Sequence, residues 1–126
     1  MYVKIAYHIS QGGIMNLKRN ETEFRKYLEK FQKEPELTKI LNKVTFPELF
    51  NEQFLQENSK WKNMDDLVFR GDFGIMNLLE VENVNPEAWD RYVAQNCPCE
   101  TWHQFGKLAM LHWMRKKYKE WQKTKK

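Results

Sequence analysis

Apolar residues recur at helical spacing along most of this chain. The first such stripe places four of them at positions i, i+3, i+4 and i+7, namely Phe24, Tyr27, Leu28 and Phe31. This period is typical of the buried face of an α-helix. Asn20 and Glu23 have the spacing of a capping box, so the pattern predicts a helix that begins after Asn20 and ends near Pro35.

Polar and proline signals divide the following residues into further helices. A short second helix is predicted from an apolar face that consists of Leu37, Ile40, Leu41 and Val44. Thr45 and Glu48 form another capping box, and they predict a third helix that runs to about Asn58. Asn63 is then expected to cap a helix that ends at the glycines of residues 70–74.

A degenerate internal repeat covers part of this helical pattern. A shift of 38 positions aligns residues 54–67 with residues 92–105. Few residues are identical, but both segments contain an aromatic-aliphatic pair, an asparagine, a short turn, a polar cap and two apolar residues three positions apart. The pattern predicts two helix-turn-helix units, within residues 47–68 and 86–108, with aligned Trp61 and Cys99 buried at equivalent positions.

The second half of the chain completes the prediction of an all-α fold. Residues 75–84 fit either a helical turn or an extended segment, and the pattern leaves both open. Pro86 opens another helix. Thr101, with Gln104 in the capping-box position, begins a long helix that ends near Gln122. We therefore expect a small helical bundle of six or seven helices that contains the two repeats.

Length and composition predict one domain, which we assign to residues 15–122. The chain has 126 residues, of which 41% are apolar and 30% charged, and this is enough to bury a core without disulfides. Residues 1–14 are different, because the codons of Gln-Gly-Gly before Met15 can spell a ribosome-binding site. We hypothesise that residues 1–14 are a translated leader of a bacterial, archaeal or phage gene. Residues 123–126 are expected to fray as a basic tail.

Two cysteines, Cys97 and Cys99, raise the question of a disulfide or a metal site. A disulfide across so short a link would be strained, so free thiols in a reducing cytoplasm are expected. His103 is a further zinc-ligand type, but His112 lies nine positions later, on the opposite face of the predicted helix. The sequence therefore predicts packing roles for the cysteines, with no metal and no cofactor.

No recognised catalytic motif occurs in the chain. Phosphate-binding glycine loops, nucleophile elbows and zinc-protease signatures are absent, and His112 is expected to be a buried, hydrogen-bonded neutral imidazole. No apolar run approaches the roughly 18 to 20 residues of a membrane span, and the first residues lack the apolar core of a signal peptide. The sequence favours a cytoplasmic protein that is not an enzyme.

Charge is distributed unevenly along the chain. Residues 101–126 carry eight basic groups against Glu120 alone, a net +7, whereas the first hundred residues hold 13 basic and 16 acidic groups, a net −3. Beyond Met114 the lysine density is expected to keep the last helix exposed, because unpaired ammonium groups are costly to bury. Basic and aromatic side chains together suit a polyanion or an acidic protein face. The predicted binding surface consists of Arg115, Lys116, Tyr118, Lys119 and Trp121. The alternative is a solvated basic tail that only aids solubility.

These observations predict a small helical binding protein, with a phage or another mobile element as its expected source. One hypothesis is contact with a protein partner, for example inhibition of a host nucleic-acid-processing complex. The alternative is nucleic-acid binding through the basic C-terminal helix, whose affinity would fall steeply with salt. An enzyme without a recognisable motif is the third hypothesis.

Overall fold

The computed structural model describes the backbone of residues 11–125 and the side chains of residues 21–125. Within that range the chain forms seven α-helices and one 3-10 helix and contains no strand, which confirms the predicted all-α bundle. In chain order the elements are α1 Gln11–Lys33, α2 Pro35–Leu41, α3 Phe46–Leu49, α4 Glu52–Asn58, α5 Met64–Phe69, the 3-10 helix Leu78–Asn83, α6 Pro86–Asn96 and α7 Trp102–Thr124.

Helix α1 begins earlier than the capping box predicted. It starts at Gln11 and includes Asn20, so the prediction that Asn20 caps this helix was wrong. Between residue 14 and Asn20 there is no proline or glycine, and the apolar residues Ile14, Met15 and Leu17 are compatible with a helix. Because nothing in this stretch ends the helix, the asparagine lies inside it.

The predicted leader, residues 1–14, lies only partly within the described structure. Residues 1–10 are outside the described residues, and residues 11–14 belong to the first turn of α1. A helical conformation at these positions is compatible with initiation at either Met1 or Met15. The leader and the start of the domain at residue 15 therefore stay predictions.

The predicted third helix is interrupted. Instead of one helix to Asn58 the chain forms α3 and α4, because Phe50 leaves the helical conformation at φ −103° and ψ 51°. Asn51 is extended, and its side-chain oxygen accepts a hydrogen bond from the backbone N–H of Phe54 at 2.9 Å. Phe50 is buried and stacks on Phe105, with 5.7 Å between the ring centroids. This tertiary contact accompanies a break that the local sequence did not predict.

The two predicted turns share their local geometry. Ser59 follows α4 and Cys97 follows α6, both in an extended conformation. The Ser59 hydroxyl donates to the carbonyl of Leu55 at 2.7 Å, and the Cys97 thiol donates to the carbonyl of Val93 at 3.2 Å. In both turns the carbonyl oxygen four residues earlier accepts from the backbone N–H and from the side chain of the same residue at the helix end.

The aligned residues Trp61 and Cys99 are each 1% exposed, so their predicted burial is confirmed. The two turns also contact each other, since the backbone N–H of Lys60 donates to the carbonyl of Asn96 at 2.8 Å. The helices that follow the turns differ, because α5 has 6 residues and α7 has 23. Superposition of the complete units stays a prediction.

Helix α7 lies between two hydrophobic cores. The first core is formed with α4, α5 and α6, and its buried residues include Phe50, Phe54, Leu55, Trp61, Leu67, Trp89, Val93, Cys99, Phe105 and Ala109. The second core is formed with α1 and α2, and its buried residues are Phe31, Leu37, Trp113 and Met114. The last helix thus packs on both cores, through Phe105 and Ala109 in the first and through Trp113 and Met114 in the second.

Candidate functional site

An apolar groove opens between the start of α3 and the 3-10 helix. Its volume is about 520 Å³. It is lined by Val44, Thr45, Phe46, Pro47, Leu49, Met64, Asn77, Leu78 and Leu79. Seven of these nine residues are apolar, so this apolar groove can shield a bound apolar side chain from water.

The 3-10 helix positions the side chains at one edge of the apolar groove. The Asn77 side chain accepts a hydrogen bond from the backbone N–H of Leu79 at 2.9 Å, and the Glu80 carboxylate accepts one from the N–H of Met76 at 2.9 Å. In this geometry Leu78 belongs to the first core and is 4% exposed, whereas Leu79 and Met76 are 69% and 71% exposed. Neighbouring apolar side chains that are exposed to this extent beside a groove indicate a binding surface.

The segments that form the apolar groove are acidic on balance. Residues 42–49 and 63–83, which supply its lining, contain six carboxylates and two basic side chains, a net −4. One of the two basic groups, that of Arg70, forms an ion pair with Asp66 at 2.8 Å. The groove therefore combines apolar side chains with a charge opposite in sign to that of the end of α7.

The five residues of the predicted binding surface do not form one exposed site. Arg115 donates to the Glu23 carboxylate at 2.6 Å, a contact that joins α7 to α1. Lys116 and Lys119 are exposed, and neither forms an ion pair with any side chain of residues 21–125. Only these two lysines therefore remain as charged groups of the predicted surface that face solvent without a protein partner.

Tyr118 and Trp121 pack against the body of the protein, which corrects the prediction that they are exposed. Both are half-buried at the edge of the second core. The Tyr118 ring meets the Tyr27 ring edge-on, with centroids 5.7 Å apart, and the Lys30 ammonium group lies 4.8 Å from the centroid of the Tyr118 ring. Helix α1 supplies this contact surface, and helical periodicity within α7 alone gives no information about it.

The end of α7 carries a basic cleft. Its volume is about 670 Å³, and it is lined by Lys119, Trp121, Gln122, Lys123 and Lys125. Lys125 forms an ion pair with Glu36 of α2 at 3.0 Å, and its ammonium group lowers the pKa of the Glu36 carboxyl. The helix continues to Thr124, into the predicted tail of residues 123–126, and Lys126 lies outside the described residues. Glu36 of α2 therefore compensates one of the positive charges at the end of α7.

A polar cleft of about 370 Å³ beside α7 holds His112. Its other ionisable side chains are Glu48, Glu57, Lys116 and Lys117. The imidazole is only half-buried, lies against the Phe54 ring with 5.2 Å between centroids, and has no hydrogen bond to the described residues. The predicted hydrogen bond is therefore not formed there. Burial, and then the positive charge of Arg115, lowers the pKa of His112, which favours the predicted neutral form.

We expect the free energy of unfolding to decrease as the pH falls below about 6.5 because of His112. The unfolded chain has the ordinary histidine pKa of 6.5 and the folded chain a lower one, so between these values protons bind preferentially to the unfolded state. His112→Gln is expected to remove this part of the pH dependence, and His103→Gln, at an exposed position of the same helix, to retain it. Urea unfolding on both sides of pH 6.5 measures how the free energy of unfolding changes with pH. If this change were equal for the wild type and His112→Gln, His112 would not be its source.

Cys97 and Cys99 are free thiols. The Cys97 thiol beside Cys99, together with burial, raises the pKa of the Cys99 thiol. This disfavours the thiolate form that a metal ion would need. In residues 21–125, no group of three or more Cys, His, Asp or Glu side chains has the arrangement of a metal site. Cys99 instead contributes its side chain to the first core.

Comparison of the chain with protein-family profiles, with curated proteins and with solved structures finds no match. Across the helices that the structure describes, none is both long enough and apolar enough to cross a bilayer.

The apolar groove was not predicted from the sequence. Its lining combines residues 44–49, Met64 and residues 77–79, which are distant in the chain and come together only in the fold. One local signal was present, because Met76 and Leu79 are large apolar residues in a segment without clear helical periodicity. Apolar residues that no periodic face accounts for are candidates for exposed contact positions.

Proposed function

We propose that this protein is a small non-enzymatic binding protein that contacts another protein through the apolar groove. The observation that carries this proposal is the exposure of Leu79, 69%, which lines an apolar groove of about 520 Å³, and of Met76, 71%, which precedes the lining residue Asn77. An accessory protein of a phage or another mobile element that inhibits a host complex is one instance of this function. The free thiols support a reducing compartment, and we propose the cytoplasm.

The energetic argument concerns these two side chains. Burial of a leucine or methionine side chain contributes about 1.5–3 kcal/mol, so a partner that covers both gains several kcal/mol before the costs of association. Folding does not use this contribution, because both side chains remain in water in the isolated chain. Phe46, which lines the same groove and is 37% exposed, extends the surface that a partner can cover.

We expect Leu79→Ser with Met76→Ser to raise the dissociation constant for the protein partner roughly ten-fold or more, since buried apolar anchors dominate interface energies. The free energy of unfolding should change by less than about 0.5 kcal/mol, because both side chains are exposed in the free protein. Phe69→Ser is the matched control, because Phe69 is 49% exposed and does not line the groove.

The measurement is affinity capture from the native host with nuclease treatment, followed by titration of the purified partner. Wild type and Phe69→Ser should retain the same protein, and the double variant should lose it. Undiminished affinity of the double variant for that protein would rule out the groove as the binding site. The wild-type affinity should depend on salt less steeply than nucleic-acid binding does, because no counterions are released from phosphates.

Nucleic-acid binding through the end of α7 is the second candidate function. The observation that favours it is the basic cleft, in which Lys119 and Lys123 are exposed and form no ion pair with the described side chains. Lys116→Glu, Lys119→Glu and Lys123→Glu together would then weaken binding of a labelled duplex and reduce its salt dependence. Arg115 is left unchanged, because a glutamate there would face Glu23 and destabilise the contact between α1 and α7.

A further inference from the structure

Three carboxylates adjoin lining residues of the apolar groove in sequence, and two of them accept hydrogen bonds from backbone groups at or next to the groove. The carboxylate of exposed Glu48 accepts a hydrogen bond from the backbone N–H of the lining residue Thr45 at 3.2 Å, and Glu48 also lines the polar cleft of His112. Exposed Asp65 follows the lining residue Met64 in sequence, and one basic residue, Lys43, precedes the lining residue Val44. Half-buried Glu80 follows the lining residue Leu79, and its carboxylate accepts a hydrogen bond from the backbone N–H of Met76 at 2.9 Å. We call these three carboxylates, Glu48, Asp65 and Glu80, the acidic rim. None of them forms an ion pair with a side chain of residues 21–125.

This charge selects the class of partner. An apolar surface with an acidic rim attracts side chains that are basic beside an apolar anchor, and it repels phosphate groups of nucleic acids and of anionic lipids. A second copy of this chain fits poorly for two reasons. Two acidic rims repel each other, and the aromatic residues among the basic groups of α7, Tyr118 and Trp121, already pack in their own chain.

The secondary structure around the apolar groove selects the conformation of the partner. Its lining comes from α3, α5, the 3-10 helix and their connections, and residues 11–125 contain no strand whose edge an extended peptide could join. A helical segment needs no such edge, because a helix satisfies its backbone hydrogen bonds internally. Apolar side chains at positions i, i+3, i+4 and i+7 of such a helix form one face that can enter a groove.

We infer that the apolar groove binds a basic amphipathic helix of the partner protein, an inference that rests on the proposed protein-binding function. The apolar face of that helix lies against Leu79, Met76 and Phe46. Its lysine or arginine side chains flank this face and lie near the acidic rim. This arrangement uses both features of the groove, whereas an uncharged or acidic helix would leave the carboxylates without a favourable contact.

The test uses the full chain and three labelled peptides of about 15 residues, a length at which an isolated helix is marginally stable. The first peptide has leucine at positions i, i+3, i+4 and i+7 and lysine on the flanking positions. The second has the same composition in an order that places leucines on no single face. The third has glutamate in place of every lysine. Fluorescence anisotropy measures each dissociation constant.

Two sets of substitutions separate the contributions of apolar and of charged side chains to the affinity for the first peptide. Leu79→Ser removes the main exposed anchor. A rim-neutral variant carries Glu48→Gln, Asp65→Asn and Glu80→Gln, where glutamine retains an acceptor for the backbone N–H groups of Thr45 and Met76. Its matched control neutralises three exposed carboxylates that neither line nor adjoin the groove, through Glu29→Gln, Glu52→Gln and Glu87→Gln.

We expect the first peptide to bind roughly ten-fold more tightly than the other two, or better. Leu79→Ser and the rim-neutral variant should each raise the dissociation constant of the first peptide roughly ten-fold. The control variant should bind it like the wild type. Equal affinity for the scrambled peptide would overturn the inference, since charge alone would then drive binding. Equal affinity for the glutamate peptide, or an effect of the control variant equal to that of the rim-neutral variant, would also overturn it.

Failure of the inference and failure of the proposed function give different results. If the lysine peptide does not bind but the captured host protein still depends on Leu79 and Met76, the basic amphipathic helix is wrong and the protein-binding groove stands. If neither the peptide nor the captured protein depends on these two side chains, both are wrong.

Discussion

Replacement of Trp61 by alanine is expected to lower the free energy of unfolding by roughly 3–5 kcal/mol. Trp61 is 1% exposed and belongs to the first core. Its ring contacts the rings of Tyr92 and Phe105, with centroid separations of 5.4 and 5.5 Å, and its indole N–H donates to the Tyr92 hydroxyl at 2.9 Å. Alanine would remove both the packing and this donor, and neighbouring helices cannot collapse fully into the space.

Chemical denaturation with circular dichroism detection measures this effect. Because a domain of this size has about 5–15 kcal/mol of stability, the change is a large fraction of the total. Trp61→Phe is the informative control, since it retains a ring but loses the hydrogen bond, and it should cost less than alanine does. The Tyr92 hydroxyl would still donate to the carbonyl of Leu67, at 2.7 Å in the wild type. A loss below about 1 kcal/mol for Trp61→Ala would show that this residue is not the central packing element described here.

Replacement of Phe31 by alanine is expected to destabilise the second core by a similar amount, roughly 3–5 kcal/mol. Phe31 is fully buried, and its ring lies 5.9 Å from that of Trp113 between centroids. Its carbonyl also accepts a hydrogen bond from the Thr38 hydroxyl at 2.6 Å, which joins α1 to α2. The backbone hydrogen bond survives the substitution, so the expected loss comes from the ring.

The same unfolding measurement tests the Phe31 prediction. Phe31→Leu retains most of the apolar volume and should be less destabilising than alanine. Glu29→Ala, at an exposed position of the same helix, controls for the change in helix propensity and should have little effect. If Phe31→Ala lowered stability no more than Glu29→Ala does, α1 would not pack on α7 through this core.

Local signals predicted much of the fold correctly. The Asn63 side chain accepts from the backbone N–H of Asp66 at 2.9 Å, and the Thr101 hydroxyl accepts from that of Gln104 at 3.1 Å, as their spacing predicted. Such caps are readable because donor and acceptor are three residues apart. At Phe50, whose ring stacks on the distant Phe105, the predicted helix was wrong.

The candidate site was much less predictable than the fold. Lysine-rich periodicity in α7 indicated an exposed basic and aromatic surface, yet Arg115 pairs with Glu23 and the Tyr118 ring packs on Tyr27. These partners are on α1, far away in sequence, and a pattern within one helix contains no information about them.

The sequence by itself determined the class of fold, the caps at Asn63 and Thr101 and the burial of Trp61, because these depend on spacing within one or two helical turns and on the apolar character of single residues. The tertiary structure alone decided which surfaces remain open. Packing of α1 covers Trp113 and Tyr118 of α7, while the 3-10 helix turns Leu79 towards solvent and Leu78 into the core. The physical reason is that exposure depends on what every other element covers, whereas helix formation depends mainly on neighbours in the chain.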